Sequence, residues 1–150
     1  MLQLFLLFTV YCILSAMQYF LAKTDPDTYS IDDLAREGVT AWDGVHNYAA
    51  IAFIKRMRPG DQVFIYESLS TKAIVGLAEV AGEPYENKDD TRFSWAVHMK
   101  FIKKYKHHVT LAEIKQEEAL KDFALVRQSR LSTMIVPDTI AYKLLAMLGK

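Results

Sequence analysis

Trp42-Asp43-Gly44-Val45-His46-Asn47-Tyr48 sets an indole, a carboxylate, a glycine, an imidazole and an amide side by side in one short run. Far downstream, Leu125-Val126-Arg127-Gln128-Ser129-Arg130-Leu131-Ser132 mixes hydrogen-bonding and large apolar side chains in the same way. A concave site that orients a flat polar ligand needs this combination, apolar walls with a few placed polar groups. A third such block lies upstream, Tyr19-Phe20-Leu21-Ala22-Lys23-Thr24-Asp25-Pro26-Asp27-Thr28-Tyr29-Ser30. Between the blocks, Met57 to Ser68 and Ile74 to Val80 supply turn and strand signals.

Working outward, the chain alternates short helix and strand patterns. Ser30-Ile31-Asp32-Asp33 predicts a capped helix with acids in its first turn, running through Arg36 and stopped by Gly38. Asn47 is predicted to cap a second helix, Tyr48 to Met57, with Ile51, Ile54 and Met57 on or near one face. Pro59-Gly60-Asp61 reads as a turn, and Gln62 to Glu67 and Ala73 to Val80 as strands. From Ser94 to Ile102, Trp95, Val97, Met99 and Phe101 recur with the period of two of a half-buried strand. Thr110-Leu111-Ala112-Glu113 matches a capping box, and Ile140, Leu144, Leu145 and Leu148 stripe a final helix closed by Gly149. Asn87 to Arg92 is the expected mobile loop. Short strands and helices without a βαβ rhythm predict an α+β domain built on a curved sheet or small barrel.

Taken in order, the three polar blocks resemble the signature of the EVE domain, and the resemblance runs from about Gln18 to Gly149. It implies a PUA-like curved sheet or small β-barrel with short flanking helices, related to the YTH readers of methylated RNA and found in the thymocyte nuclear protein family. It also implies a non-catalytic module that recognises modified bases in nucleic acid. Met17 stands where family members usually begin, so residues 17–150 are read as the domain and 1–16 as an apolar N-terminal extension. This chain departs from the family pattern at His46, where arginine is common, and at Ala49 and Ala52, where glutamine and asparagine are. Phe20 and Asp25 replace the usual tryptophan and glutamate. Ala49 and Ala52 remove side-chain hydrogen-bonding capacity from one edge of the second helix.

A base rotated out of its stack needs a π-face, donors and acceptors for its edge, and positive charge for the flanking phosphates. Trp42 is the expected stacking wall, with Tyr66 and Trp95 as second walls, although the alternation around Trp95 favours the core for it. Asn47 can read an amide-like base edge or cap its helix, and the two uses compete for one side chain. Gly44 either lets backbone approach the ligand or only turns the chain. Thr24, Ser68 and Ser129 offer small hydrogen-bonding groups that turns also use. Phosphate contact is expected of Arg127, Arg130, Lys103, Lys104 and Lys106, with surface ion pairing or solvation as the alternative. The expected ligand is methylated or hydroxymethylated cytosine in DNA, with modified RNA left open.

Bulk properties set the limits. Lysine plus arginine and aspartate plus glutamate balance at 18 each in 150 residues, so long-range attraction to a polyanion is weak. The charge is uneven, with a basic run from Lys100 to His108 and an acidic one from Glu79 to Asp90. A lone Cys12 excludes an internal disulfide and a cysteine zinc cage, and no cofactor or metal is expected. The expected location is the cytoplasm, or the nucleus in a eukaryote, with an effector protein or nuclease as a further partner. Met1 to Ala22 carries no charge, but Tyr19 to Lys23 is needed as a strand. Residues 1–16 are then a misassigned start or a tether, short for a membrane span and lacking the basic flank of a signal peptide. Walker, GxGxxG, HExxH and GxSxG motifs are all missing, which leaves a hydrolase reading with only scattered serines. A membrane-tethered interaction module is the other alternative.

Overall fold

The computed structural model describes residues 17–150, and the readings placed on 1–16 lie outside the described residues. Strand β1 (Tyr19–Thr24) runs parallel to β3 (Gln62–Glu67) on one side and antiparallel to β7 (Thr133–Val136) on the other. Phe20, Leu21 and Ala22 have no exposed surface, as expected for a strand covered on both faces. Outward from β3 come β4 (Ala73–Val80), β6 (Trp95–Thr110) and β2 (Val39–Val45), giving the order β2-β6-β4-β3-β1-β7 with the short β5 (Tyr85–Glu86) also on β6. The register shifts twice between β4 and β6 and once between β3 and β4, and such irregularities bend a sheet. The result is a curled, half-barrel mixed sheet with a few short helices, the PUA-like α+β architecture expected.

The helices follow their local signals. Helix α1 (Ile31–Glu37) has the reciprocal capping box of Ser30 and Asp33, and Gly38 ends it at φ 80°. Its first backbone N–H donates to the buried Glu67 carboxylate at 2.9 Å, which fixes the helix to the end of β3. Asn47 caps α2 (Tyr48–Arg56) by accepting the Ala50 N–H at 3.1 Å, and Ala50, Ile51 and Ile54 bury its inner face against β6 and β7. The Pro59-Gly60-Asp61 turn is tied down by Asp61, whose carboxylate accepts the backbone N–H groups of Gln18 and Arg58 at 2.8 Å each. Helix α3 (Leu111–Gln116) has the capping box of Thr110 and Glu113. A 3-10 turn (Glu118–Leu120), α4 (Ala124–Arg127) and α5 (Asp138–Leu148) complete the chain. Among the described residues no helix is long and apolar enough to cross a membrane.

Two sequence expectations change. The strand expected from Ser94 to Ile102 continues to Thr110, because Tyr105 and Val109 still bury their side chains beneath the basic run. The expected mobile loop is pinned instead: Asp90 accepts a hydrogen bond from His46 at 2.6 Å, and Arg92 reaches the other nitrogen of the same ring at 2.8 Å.

The close approach of α1 to the sheet rests on Gly76. A Cβ there would lie 2.5 Å from Ile31 Cδ1 and 2.7 Å from the Lys103 carbonyl oxygen, and the latter, being backbone, cannot swing aside. Gly76→Ala is expected to lower the unfolding free energy by about 1–3 kcal/mol, measured by urea titration. The capping boxes set a pH limit. Backbone and side-chain hydrogen bonds from Ser30 hold the Asp33 carboxyl below its ordinary 3.8, and the Thr110 N–H holds Glu113 below its ordinary 4.5. Groups with depressed folded values stabilise the fold fully above the unfolded values and lose that contribution as pH falls through the folded ones. Unfolding midpoints are therefore expected to drop below about pH 4.5, and the drop to shrink in Asp33→Asn and Glu113→Gln.

Candidate functional site

The curl brings the two ends of the sheet path together. Residues of β2, the C-terminal end of β1 and the start of β7 line one cleft of about 660 Å³, although β2 and β7 are the outermost strands in the pairing order. Trp42 walls it from β2, 8% exposed and set edge-to-face on Tyr29 with ring centroids 6.0 Å apart. The β2 ladder is interrupted between Trp42 and Val45, and Gly44 takes φ +73°, a conformation costly for a side chain. The break turns the backbone of Asp43 and Gly44 along the cleft rather than into the sheet, which is why this block combines strand and loop character.

The expected site residues fall into three adjacent clefts. Thr24, Trp42 and Gly44 line the first. Asn47, Ser129, Arg127 and Arg130 line a second of about 360 Å³, with Ala49, Gln128 and Leu131. Tyr66 and Ser68, again with Ser129, line a third of about 220 Å³ that also includes Lys72 and Leu125. Trp95 packs partly buried against the core and lines none of them. Lys103, Lys104 and Lys106 lie exposed on β6, also outside all three; Lys104 pairs with Asp32 at 2.8 Å. Arg127 pairs with Asp122 at 3.3 Å, so it leaves its helix end already partnered.

Several polar groups are committed within the protein. The Thr24 hydroxyl donates to the Tyr29 carbonyl at 2.6 Å, and the Ser68 hydroxyl to the Thr24 carbonyl at 3.0 Å. The Asn47 amide oxygen is taken by its helix cap. His46, on the wall of the first cleft, has its tautomer set by a neighbour: a guanidinium can only donate, so Nδ1 accepts from Arg92 and Nε2–H donates to Asp90. The Asp90 carboxyl is held below its usual range by the Arg92 backbone N–H and then by His46.

Two residues that sequence reasoning passed over complete the arrangement. Lys23 lines both the first and third clefts and donates at 2.8 Å to the carbonyl of Ser129, which lines the second and third. Its ammonium lies 5.8 Å from the Tyr66 ring centroid, and burial pushes its pKa below the ordinary 10.5. The available signal was a lysine directly after the apolar run Tyr19-Phe20-Leu21-Ala22. Thr133 lines the first cleft, is 1% exposed, and its hydroxyl, like Ser94 Oγ and Trp95 Nε1 elsewhere, has no hydrogen-bond partner among the described residues. Among the described residues no group of histidine, cysteine, aspartate and glutamate is placed to hold a metal.

A curled, half-barrel mixed sheet with a few short helices defines the PUA-like fold. The EVE domain model matches residues 18–147, and the chain belongs to the EVE domain family. It is similar to human thymocyte nuclear protein 1, 28% identical over 158 aligned residues that cover 81% of this chain and 69% of that protein. The structure of human THYN1 protein in complex with 5-methylcytosine containing DNA superposes with a TM-score of 0.80 at 25% identity, covering 89% of this chain and 98% of that one. The NMR structure of Rpa0253 from Rhodopseudomonas palustris matches with a TM-score of 0.83 at 37% identity, covering 89% and 94%.

The orphan hydroxyl gives a prediction that needs no ligand. Thr133→Val keeps the shape and removes an unsatisfied buried group, so the unfolding free energy is expected to stay level or rise by about 1 kcal/mol. A fall of that size in a denaturant melt would mean that the hydroxyl is bonded within the protein.

Proposed function

We propose that this protein is a non-catalytic reader of a modified base, taking a methylated or hydroxymethylated cytosine of DNA into the Trp42 cleft. The observation that carries the reading is the cleft itself: about 660 Å³, walled by an indole and lined by polar groups from both edges of the sheet. That volume lies within the ordinary range of small-molecule sites. In this reading the base stacks on Trp42, and Asp25 and Asp43, which line the cleft, offer acceptors of the kind that pair with the cytosine N4 amino group. Arg127 and Arg130, on the second cleft, take the phosphates that follow. The DNA carried by the similar human protein supports the same class of ligand.

Magnitudes limit selectivity. Stacking one base contributes about 1–3 kcal/mol, but burying one methyl adds only about 0.8 kcal/mol. A methyl mark alone therefore gives a few-fold preference, whereas a hydroxymethyl that meets a dedicated polar partner is discriminated better.

Fluorescence anisotropy with matched oligonucleotides carrying cytosine, 5-methylcytosine or 5-hydroxymethylcytosine tests the reading. The modified strands are expected to bind more tightly, affinity to fall as salt rises, and Trp42→Ala to weaken binding by roughly 5- to 150-fold. A folded Trp42→Ala protein that binds as the wild type does would remove the cleft from the mechanism.

A further inference from the structure

A pair of aromatic rings stands in solvent beside the cleft, and the core does not use it. Tyr48 is 76% exposed and Phe93 44%, yet the two rings are stacked, with centroids 5.8 Å apart and planes inclined by 28°. Lys55 braces the pair from α2: its ammonium lies 5.8 Å from the Phe93 centroid and 4.6 Å from that of Trp95. Large apolar rings held in place on a surface mark an interaction site more often than isolated exposed residues do. Bracing matters because a ring already ordered loses little entropy when a ligand stacks on it.

The position of the pair is as informative as its exposure. Tyr48 follows Asn47 of the second cleft and His46 of the first, and Phe93 follows Arg92, whose side chain bonds His46. Consecutive Cα atoms are about 3.8 Å apart, so the pair lies within one nucleotide's reach of both clefts. Lys55 and Arg92 are the cations at its edge, and the nearby Asp90 carboxylate is already engaged by His46 and by the Arg92 N–H. A flat ring with positive charge beside it fits a nucleobase attached to phosphate.

We propose that Tyr48 and Phe93 form a second base subsite, a stacking platform for the unpaired nucleobase next to the one in the Trp42 cleft. The proposal rests on the base-reading function above, and it adds a requirement for strand context. Tyr48 is the outer member of the pair, since it keeps most of its surface in water. Its loss leaves the Asn47 cap and the buried face of α2 untouched, so the variant is expected to fold.

The test uses the full chain and short single strands holding one 5-methylcytosine, flanked either by 2-aminopurine or by abasic sites. Wild-type protein is expected to quench the 2-aminopurine on binding. Tyr48→Ala is expected to bind that strand roughly 5- to 150-fold more weakly and to leave the fluorophore unquenched at saturation, and Phe93→Leu to weaken it to a lesser degree. On the abasic strand the wild type and Tyr48→Ala are expected to bind alike. If Tyr48→Ala matches the wild type on both strands, or loses affinity equally on both, the platform is not a base subsite and the exposed rings serve another partner, such as a protein. If binding depends on Tyr48 and not on Trp42, the cleft reading fails while base stacking on the platform stands. If the wild type binds neither strand, both proposals fall.

Discussion

The clefts of this domain depend on the curl of one sheet. In a flat sheet ordered β2-β6-β4-β3-β1-β7, the outer strands would stand some five inter-strand spacings apart, roughly 24 Å. Instead Trp42 of β2 and Thr133 of β7 line the same cleft. The pairing of β4 with both neighbours is irregular, which bends a sheet, and at Gly76, within this stretch, α1 and the β6 backbone leave no room for a Cβ. Helix α2 packs on both β6 and β7. The cleft is thus a consequence of sheet geometry, with loop residues added at its rim.

Within that frame, the polar groups divide between those that hold the frame and those that face the opening. Thr24, Ser68 and Asn47 satisfy carbonyl or amide groups of neighbouring turns, which is the usual fate of small polar side chains at strand and helix ends. Lys23 lies between the two groups. Its bond to the Ser129 carbonyl crosses from β1 to the segment after α4, so one half-buried cation ties the two segments together.

Local signals were legible where local physics decides the outcome. The capping boxes at Ser30 and Thr110 and the Asn47 cap stand as their sequences imply, because each needs only residues within one helical turn. Strands β3 and β4 were legible from their β-branched and aromatic content. Strand β2 was not: its break at Asp43-Gly44 and its position at the sheet edge expose most of its residues, so no alternation survives in Val39–Val45. The second half of β6 was hidden by lysines that reach water from a strand covered on one side. Residues of the three sequence blocks line clefts, but their partition among three of them depends on which side of β1 each segment reaches, and linear order does not encode that. Thr133 escaped notice because nothing distinguishes a threonine with a free hydroxyl from one that bonds its own backbone until its neighbours are known.

The electrostatics of the first cleft bear on how its ligand must enter. Asp25 and Asp43 line it, opposed by Lys23 and by a His46 ring that donates to Asp90 and accepts from Arg92. A cleft with two carboxylates repels a phosphate at close range, and it favours a neutral group that presents hydrogen-bond donors. The arginines stand instead on the second cleft, beyond the Lys23 to Ser129 link. Under the proposed function, a nucleotide lying across these surfaces therefore turns its base toward Trp42 and its phosphate toward Arg127 and Arg130. The overall charge balance of the chain adds little to this, since a protein with no net charge draws its selectivity from where charges sit and not from how many it has.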